Sequence, residues 1–382
     1  MTVAMQNTET PVRALLSAAA VRDRAHEMLE FALAGEVEGW SVDLGRMQAT
    51  ADLVASITRE RFPTLDIPFH ARWRHFVAGA PKLPENDPAE RARAAFDLVI
   101  LSVLLDAGTG PGWRYVDPVT GEPFTRSEGL AVASQRMFEA GALDDLAGLE
   151  TETLAQGFQV SEDNPLAGLE GRAALLRRLG TQVAARPDLF VGGRLGGLYD
   201  VLAQDGGVPA PDILALLLEA LGPIWADRLT LEGVPLGDCW RHPALRRADA
   251  TDGLVPLHKL SQWLSYSLIE PLEEAGVAVT DIDGLTGLAE YRNGGLFVDI
   301  GVLTLADPAD AARSHQVSDP LIVAWRAMTV ALLDRLAPLV RERLGVGQAE
   351  FPLARMLEGG GLKYFPVSPL RTALYFGKRS YT

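Results

Sequence analysis

The sequence predicts a mainly α protein, a single large helical body with at most a few short strands. Three observations predict it. Apolar residues recur at helical spacing over most of the chain, in runs that open on proline or aspartate and close near glycine. Strand-like alternation is rare. Strand and helix signals do not alternate, which disfavours a doubly wound parallel sheet.

The elements follow in order. Pro11–Ala34 carries alanine, leucine and arginine at helical spacing and stops at Gly35, and Leu44–Arg61 repeats the pattern before Pro63. Pro88–Asp106 opens on a proline suited to a first helical turn and stops near Gly108. Ser127–Ala140, Leu166–Ala185, Pro211–Leu221 and Pro256–Glu274 are further helices. Val317–Leu344, the longest, has the start signal Ser318-Asp319-Pro320. Gly295–Leu303 is β-branched and partly alternating, so it reads as a short strand or a buried extended segment. Tyr375-Phe376 is a second place for strand pairing. No connector has the composition of a flexible linker. Residues 1–382 therefore read as one domain, with room for two helical lobes at about 1–160 and 161–382.

Charge and motif inventory narrow the function. With 35 Lys and Arg against 50 Asp and Glu, the formal charge is −15. Nucleic acid and anionic membranes both require a basic footprint, so neither is an expected partner. Cys239 is the single cysteine, which excludes an intramolecular disulfide framework and a four-cysteine zinc site and suits a reducing compartment. The start of the chain lacks a continuous apolar core of the signal-peptide kind, and no run reaches the ~18 apolar residues of a spanning helix. A cytoplasmic protein is expected. Gly-x-Ser-x-Gly, Walker, His-Glu-x-x-His and EF-hand patterns are missing. His70 and His75, five residues apart, would not converge on one metal if helical. No metal and no cofactor are expected.

Three regions carry chemistry. The first is His70-Ala71-Arg72-Trp73-Arg74-His75-Phe76, two arginines and two histidines among aromatics in an acidic chain. Arg72 and Arg74 suit a phosphate or carboxylate clamp, or else a surface helix whose arginines pair with the protein's own acids. The second is Val191–Asp200, where paired glycines flank Arg194. It either presents backbone N–H groups to an anion or forms a tight turn with a helix cap.

The third runs from Leu254 to Leu303. Lys259, Gln262, Trp263 and Tyr266 fall at i, i+3, i+4 and i+7 of one helix, next to His258. Such a mixed stripe is costly to bury unpartnered, so it lines a pocket or forms a solvated face beside an aromatic core edge. Downstream, Asp283 is a second carboxylate or a helix cap. Glu290-Tyr291-Arg292-Asn293 then places carboxylate, phenol, guanidinium and amide at a turn, unless Glu290 and Arg292 form a structural pair.

These motifs, with Val255–Leu264 and Leu285–Val298, resemble the uracil-catabolism protein four family, also called the uracil-regulated protein three family, over nearly the whole chain. The resemblance implies a pyrimidine-breakdown route in which uracil becomes its ribonucleotide, the ring opens, and a ribose–urea bond is cut. Lys259-x-x-Gln262 and Leu285-Thr286-x-x-Ala289-Glu290-Tyr291-Arg292 are also similar to motifs of the queuosine-salvage nucleotide glycosidases, which implies a helical core like that of DNA glycosylases. Where that family has aspartate, this chain has Glu290, one methylene longer.

The expectation is an N-glycosidase-type hydrolase acting on a small ribosyl or ribosyl-phosphate substrate. Glu290 is the first-choice catalytic carboxylate, Asp283 the second, and Lys259 holds or protonates the leaving group. His258, Gln262, Trp263, Tyr266, Tyr291 and Asn293 line the substrate, and Arg292, Arg194, Arg72 and Arg74 are the phosphate candidates. The alternative is a non-catalytic regulatory protein that senses a uracil-derived nucleotide metabolite.

Overall fold

A computed structural model describes residues 10–76, 81–110 and 112–360; Tyr375-Phe376 lies outside them. The described residues are mainly α, with thirteen α-helices and ten strands of two or three residues, the latter in five two-stranded pairs. No described helix is long and apolar enough to cross a membrane.

Two compact units emerge, and neither is a contiguous half of the chain. The first gathers residues 10–70, Arg228–Trp263 and 281–360; the second holds the described residues from 71 to 227 with Leu264–Thr280. The expected lobe boundary near 160 falls inside the second unit. Helix Lys259–Glu274 begins in the first unit and continues in the second.

In the first unit, helix Pro320–Leu344 packs against Ala18–Leu33 and Met47–Arg61. Every residue from Ile322 to Leu333 is buried, as expected of a helix apolar on all sides. Pro320 occupies its first turn, and Gly345 ends it with φ 72°. Asp319 turns its carboxylate to the Gln316 N–H instead of capping the helix, 2.8 Å. The helix expected over Pro11–Ala34 is two helices, because Ser17 caps a new start by accepting the Ala20 N–H.

One expectation is corrected here. Most of Gly295–Leu303 is not a strand: Tyr291–Ile300 is a helix, and only Leu303–Leu305 is extended, pairing antiparallel with Trp40–Val42. Tertiary packing decides it. A Cβ at Gly294 would lie 2.7 Å from the Trp325 ring, so only glycine lets the helix approach Pro320–Leu344 this closely. Burial of Leu296 and Phe297 on that side overrides their β propensity.

In the second unit, Pro88–Leu104 packs against Arg126–Glu139 and Gly197–Leu202. Asp87 caps the first of these through the N–H groups of Ala89 and Glu90. Leu169–Ala185 lies against Thr151–Gly157 and Ala210–Leu221. The segment around Arg72 and Arg74 is a single 3₁₀ turn, Arg72–His75, and not a longer helix.

Candidate functional site

In the first unit the chain leaves the 3₁₀ turn Ile282–Gly284 at Leu285, runs extended to Glu290 and turns there into helix Tyr291–Ile300. Glu290 stands at the N-cap position with extended backbone, yet its side chain makes no cap hydrogen bond. The carboxylate instead meets Lys259, Nζ to Oε2 at 3.4 Å, and about a fifth of it reaches solvent, 21%. Burial works against its charge. The neighbouring charges of Lys259, His70 and Arg292 outweigh burial and hold the carboxyl below the usual glutamate range. A carboxylate ionised near neutrality, facing cations in a mostly dry setting, is a group poised to meet developing positive charge.

Lys259 also lies over the Trp263 ring, 5.2 Å from its centroid, which fixes the ammonium between aromatic face and carboxylate. His70 packs beside the same indole, with ring centroids 6.3 Å apart. Its Nδ1–H donates to Glu358 Oε2 at 2.9 Å, and Arg61 reaches the other oxygen of Glu358 at 3.8 Å. Next to Glu290 in the chain, Tyr291 stacks on Trp325 at 5.5 Å, and Trp325 stacks on Trp40 at 6.1 Å.

A largely enclosed ion pair holds Lys259 and Glu290 in register. Arg326 grips Asp238 with both terminal nitrogens, at 2.9 and 2.7 Å, and donates Nε–H to the Ala289 carbonyl at 3.1 Å. Asp238 in turn accepts the Lys259 backbone N–H at 3.0 Å, and its carbonyl accepts those of Leu257 and His258. One pair therefore anchors the residue before Glu290 and the first turn that carries Lys259. Burial opposes the Asp238 charge, but Arg326 and the surrounding donors hold its carboxyl far below the usual range.

Several expected site residues are bound up in this scaffold. Gln262 is buried and reciprocally bonded to Thr286, Nε2–H to Oγ1 at 2.7 Å and Oε1 from the Thr286 N–H at 3.2 Å. Asn293 gives its amide to the Leu288 carbonyl at 3.0 Å. His258 is buried with φ 44°, its Nε2 on the Leu15 carbonyl, and burial lowers its proton affinity. Asp283 lies inside the 3₁₀ turn Ile282–Gly284 and caps no helix of its own segment: its Oδ1 accepts the Leu353 N–H at the start of helix Leu353–Gly359, and Oδ2 pairs with Arg341. Tyr266 belongs to the second unit and is wholly buried there. A shallow, almost wholly apolar dimple lined by Val54, Asn293, Leu296 and Leu333 is too small to hold a substrate.

The arginine candidates separate sharply. Arg72, fully buried in the second unit, binds Ser102 through Nε at 2.7 Å and Asp106 through a terminal nitrogen at 2.9 Å. Arg74 pairs with Glu270. Arg194 binds Asp97 and Glu90, and Asp97 also accepts the Gly196 N–H at 2.6 Å. The anion awaited at that glycine turn is the protein's own Asp97. Arg292, by contrast, is half-buried and makes no hydrogen bond or ion pair among the described residues.

His70, Glu358, Asp238 and Arg326 are site residues that sequence reasoning missed. Arg326 had a signal, as a lone cation inside the apolar run Ile322–Leu333. His70 opens the basic and aromatic segment His70–Phe76. Asp238 and Glu358 carried none, because both act through contacts distant in sequence. Cys239 is buried, and burial pushes its thiol up to about 12, so it is a packed thiol.

The chain is similar to known proteins over most of its length. Residues 14–364 match the family described as Protein of unknown function (DUF1688). Protein urg3 of Schizosaccharomyces pombe is 40% identical, covering 94% of this chain and 93% of the relative. Uracil catabolism protein 4 of Lachancea kluyveri is 35% identical, covering 93% of each.

Proposed function

Since the chain belongs to the DUF1688 family, with a relative named Uracil catabolism protein 4, we propose that it acts in uracil catabolism as an N-glycosidase-type hydrolase. Its substrate in this proposal is a ribosylurea or its 5-phosphate, cut between ribose and urea. The observation that carries the proposal is Glu290, kept ionised in a largely buried setting by Lys259, His70 and Arg292. Rupture of an N-glycosidic bond builds positive charge on C1′ and the ring oxygen, and a fixed carboxylate stabilises or captures that charge.

The remaining groups divide the substrate between them. Lys259 keeps Glu290 ionised and faces the sugar hydroxyls. Trp263 and Tyr291 wall the flat urea and sugar faces. Arg292 and the uncapped N–H groups that open helix Tyr291–Ile300 take the phosphate, where helix start and guanidinium both favour an anion.

Replacing Glu290 by Gln is expected to lower urea release from ribosylurea 5-phosphate by on the order of 10³-fold or more. Fold and melting temperature should be retained. Full turnover in that variant would remove Glu290 from the chemistry. Tight calorimetric binding by the wild type with no urea formed would favour the sensor alternative.

A further inference from the structure

The hydrolase assignment leaves one proton unplaced. Urea departs as a poor anion, so its nitrogen must be protonated as the C1′–N bond breaks. Lys259 is engaged with Glu290 and the Trp263 face. Asp283 is engaged with Arg341 and the Leu353 N–H. Among the described residues, His70 is the histidine of this cluster, packed on the same Trp263 ring as Lys259.

We propose that His70, oriented by Glu358, is the acid that protonates the departing urea nitrogen, an assignment that rests on the hydrolase reading above. Four features of the first unit support it. The ring is held by a Glu358 carboxylate at 2.9 Å, which fixes Nδ1–H toward that oxygen. Nε2 makes no hydrogen bond among the described residues, so it is the nitrogen available to a substrate. His70 and Lys259 both pack on the Trp263 ring, and Lys259 pairs with Glu290, so one indole links imidazole, ammonium and carboxylate in a single cluster. The side chain is well enclosed, 17% exposed, and its backbone N–H is anchored to the Ala354 carbonyl at 3.1 Å. Carboxylate, imidazole and open ring nitrogen form the orienting arrangement that general acid–base histidines share.

The step balances without a further reactant. The C1′–N bond breaks with its electron pair passing to nitrogen, and the His70 Nε2 proton passes to that nitrogen, releasing neutral urea. Glu290 stabilises the sugar cation. Water then bonds to C1′ and gives a proton back to Nε2, so ribose or its phosphate leaves and the imidazolium is restored. Glu358 is a positioning residue in this scheme, because it acts on the substrate only through the imidazole.

Leaving-group dependence tests the assignment. Ribosylurea 5-phosphate needs a proton on its leaving group, whereas 4-nitrophenyl ribofuranoside 5-phosphate departs as a stable phenolate and does not. His70→Gln is expected to lose about 10²- to 10⁴-fold on the urea substrate and less than about tenfold on the nitrophenyl one. Glu358→Gln, which keeps an acceptor for Nδ1–H, should show the same selective loss at smaller size, and it serves as the second variant if His70→Gln does not fold. Equal losses on both substrates in either folded variant overturn the assignment while leaving the hydrolase reading intact. A wild-type protein that turns over neither substrate overturns both.

Discussion

The glycine turn around Arg194 and the helix start at Glu290 present the same ingredients: backbone N–H groups, an arginine and a carboxylate. They are finished differently. In the second unit Asp97 accepts from Arg194 and from the Gly196 N–H, Glu90 takes the remaining guanidinium nitrogen, and the cluster is closed. In the first unit Glu290 has only a 3.4 Å ion pair with Lys259, while Arg292 and His70 Nε2 are open. A closed polar cluster contributes stability and specificity of fold; an open one keeps binding capacity in reserve. Residue types alone do not separate the two. Partner saturation does.

Disrupting the closed cluster should give the largest change in stability at neutral pH. Asp97→Ala leaves Arg194 half-paired and the Gly196 N–H without its acceptor, at a cost of about 3 kcal/mol in denaturant unfolding with turnover unchanged. Lost turnover at full stability would place that cluster in the site instead.

Acid tests a group closed by burial rather than by a charged partner. Burial lowers His242 to about 4, whereas the unfolded ring titrates near 6.5. The unfolded chain therefore takes up a proton first as pH falls. The stability contribution is present above pH ~6.5 and is lost between there and about pH 4, by about 3 kcal/mol. A pH series of unfolding curves should show that loss, and His242→Gln should flatten it.

The smallest effect on stability belongs to the open group. Arg292→Ala should change unfolding free energy by less than about 0.5 kcal/mol, yet raise KM for a 5-phosphorylated substrate about tenfold and leave KM for its dephosphorylated form unchanged. A destabilised Arg292→Ala would show that the residue holds the fold and erase the contrast with Arg194.

Most helices are legible in the sequence because local signals agree with the final packing. Pro88, Pro320 and Gly345 stand where first-turn and terminal residues belong. Tyr291–Ile300 is not legible, because its backbone is decided by a glycine that meets Trp325, a residue 31 positions onward by numbering. The interleaved units are hidden for the same reason: their boundaries cross the chain at 70, 227, 263 and 280, where no linker composition marks them. At the site, spacing brings Lys259 and Glu290 into view as candidates, and the structure joins them. It also commits Gln262, Asn293, His258 and Asp283 to the scaffold, because each finds a backbone or side-chain partner that only the tertiary fold supplies.

The Asp97 carboxylate has a consequence for experiments with free anions. It is tethered to the chain and cannot diffuse away, so dissolved phosphate competes with an occupant whose local supply never runs down. Crystals steeped in millimolar phosphate should show new density beside Arg292 and an undisturbed glycine turn at 192–197.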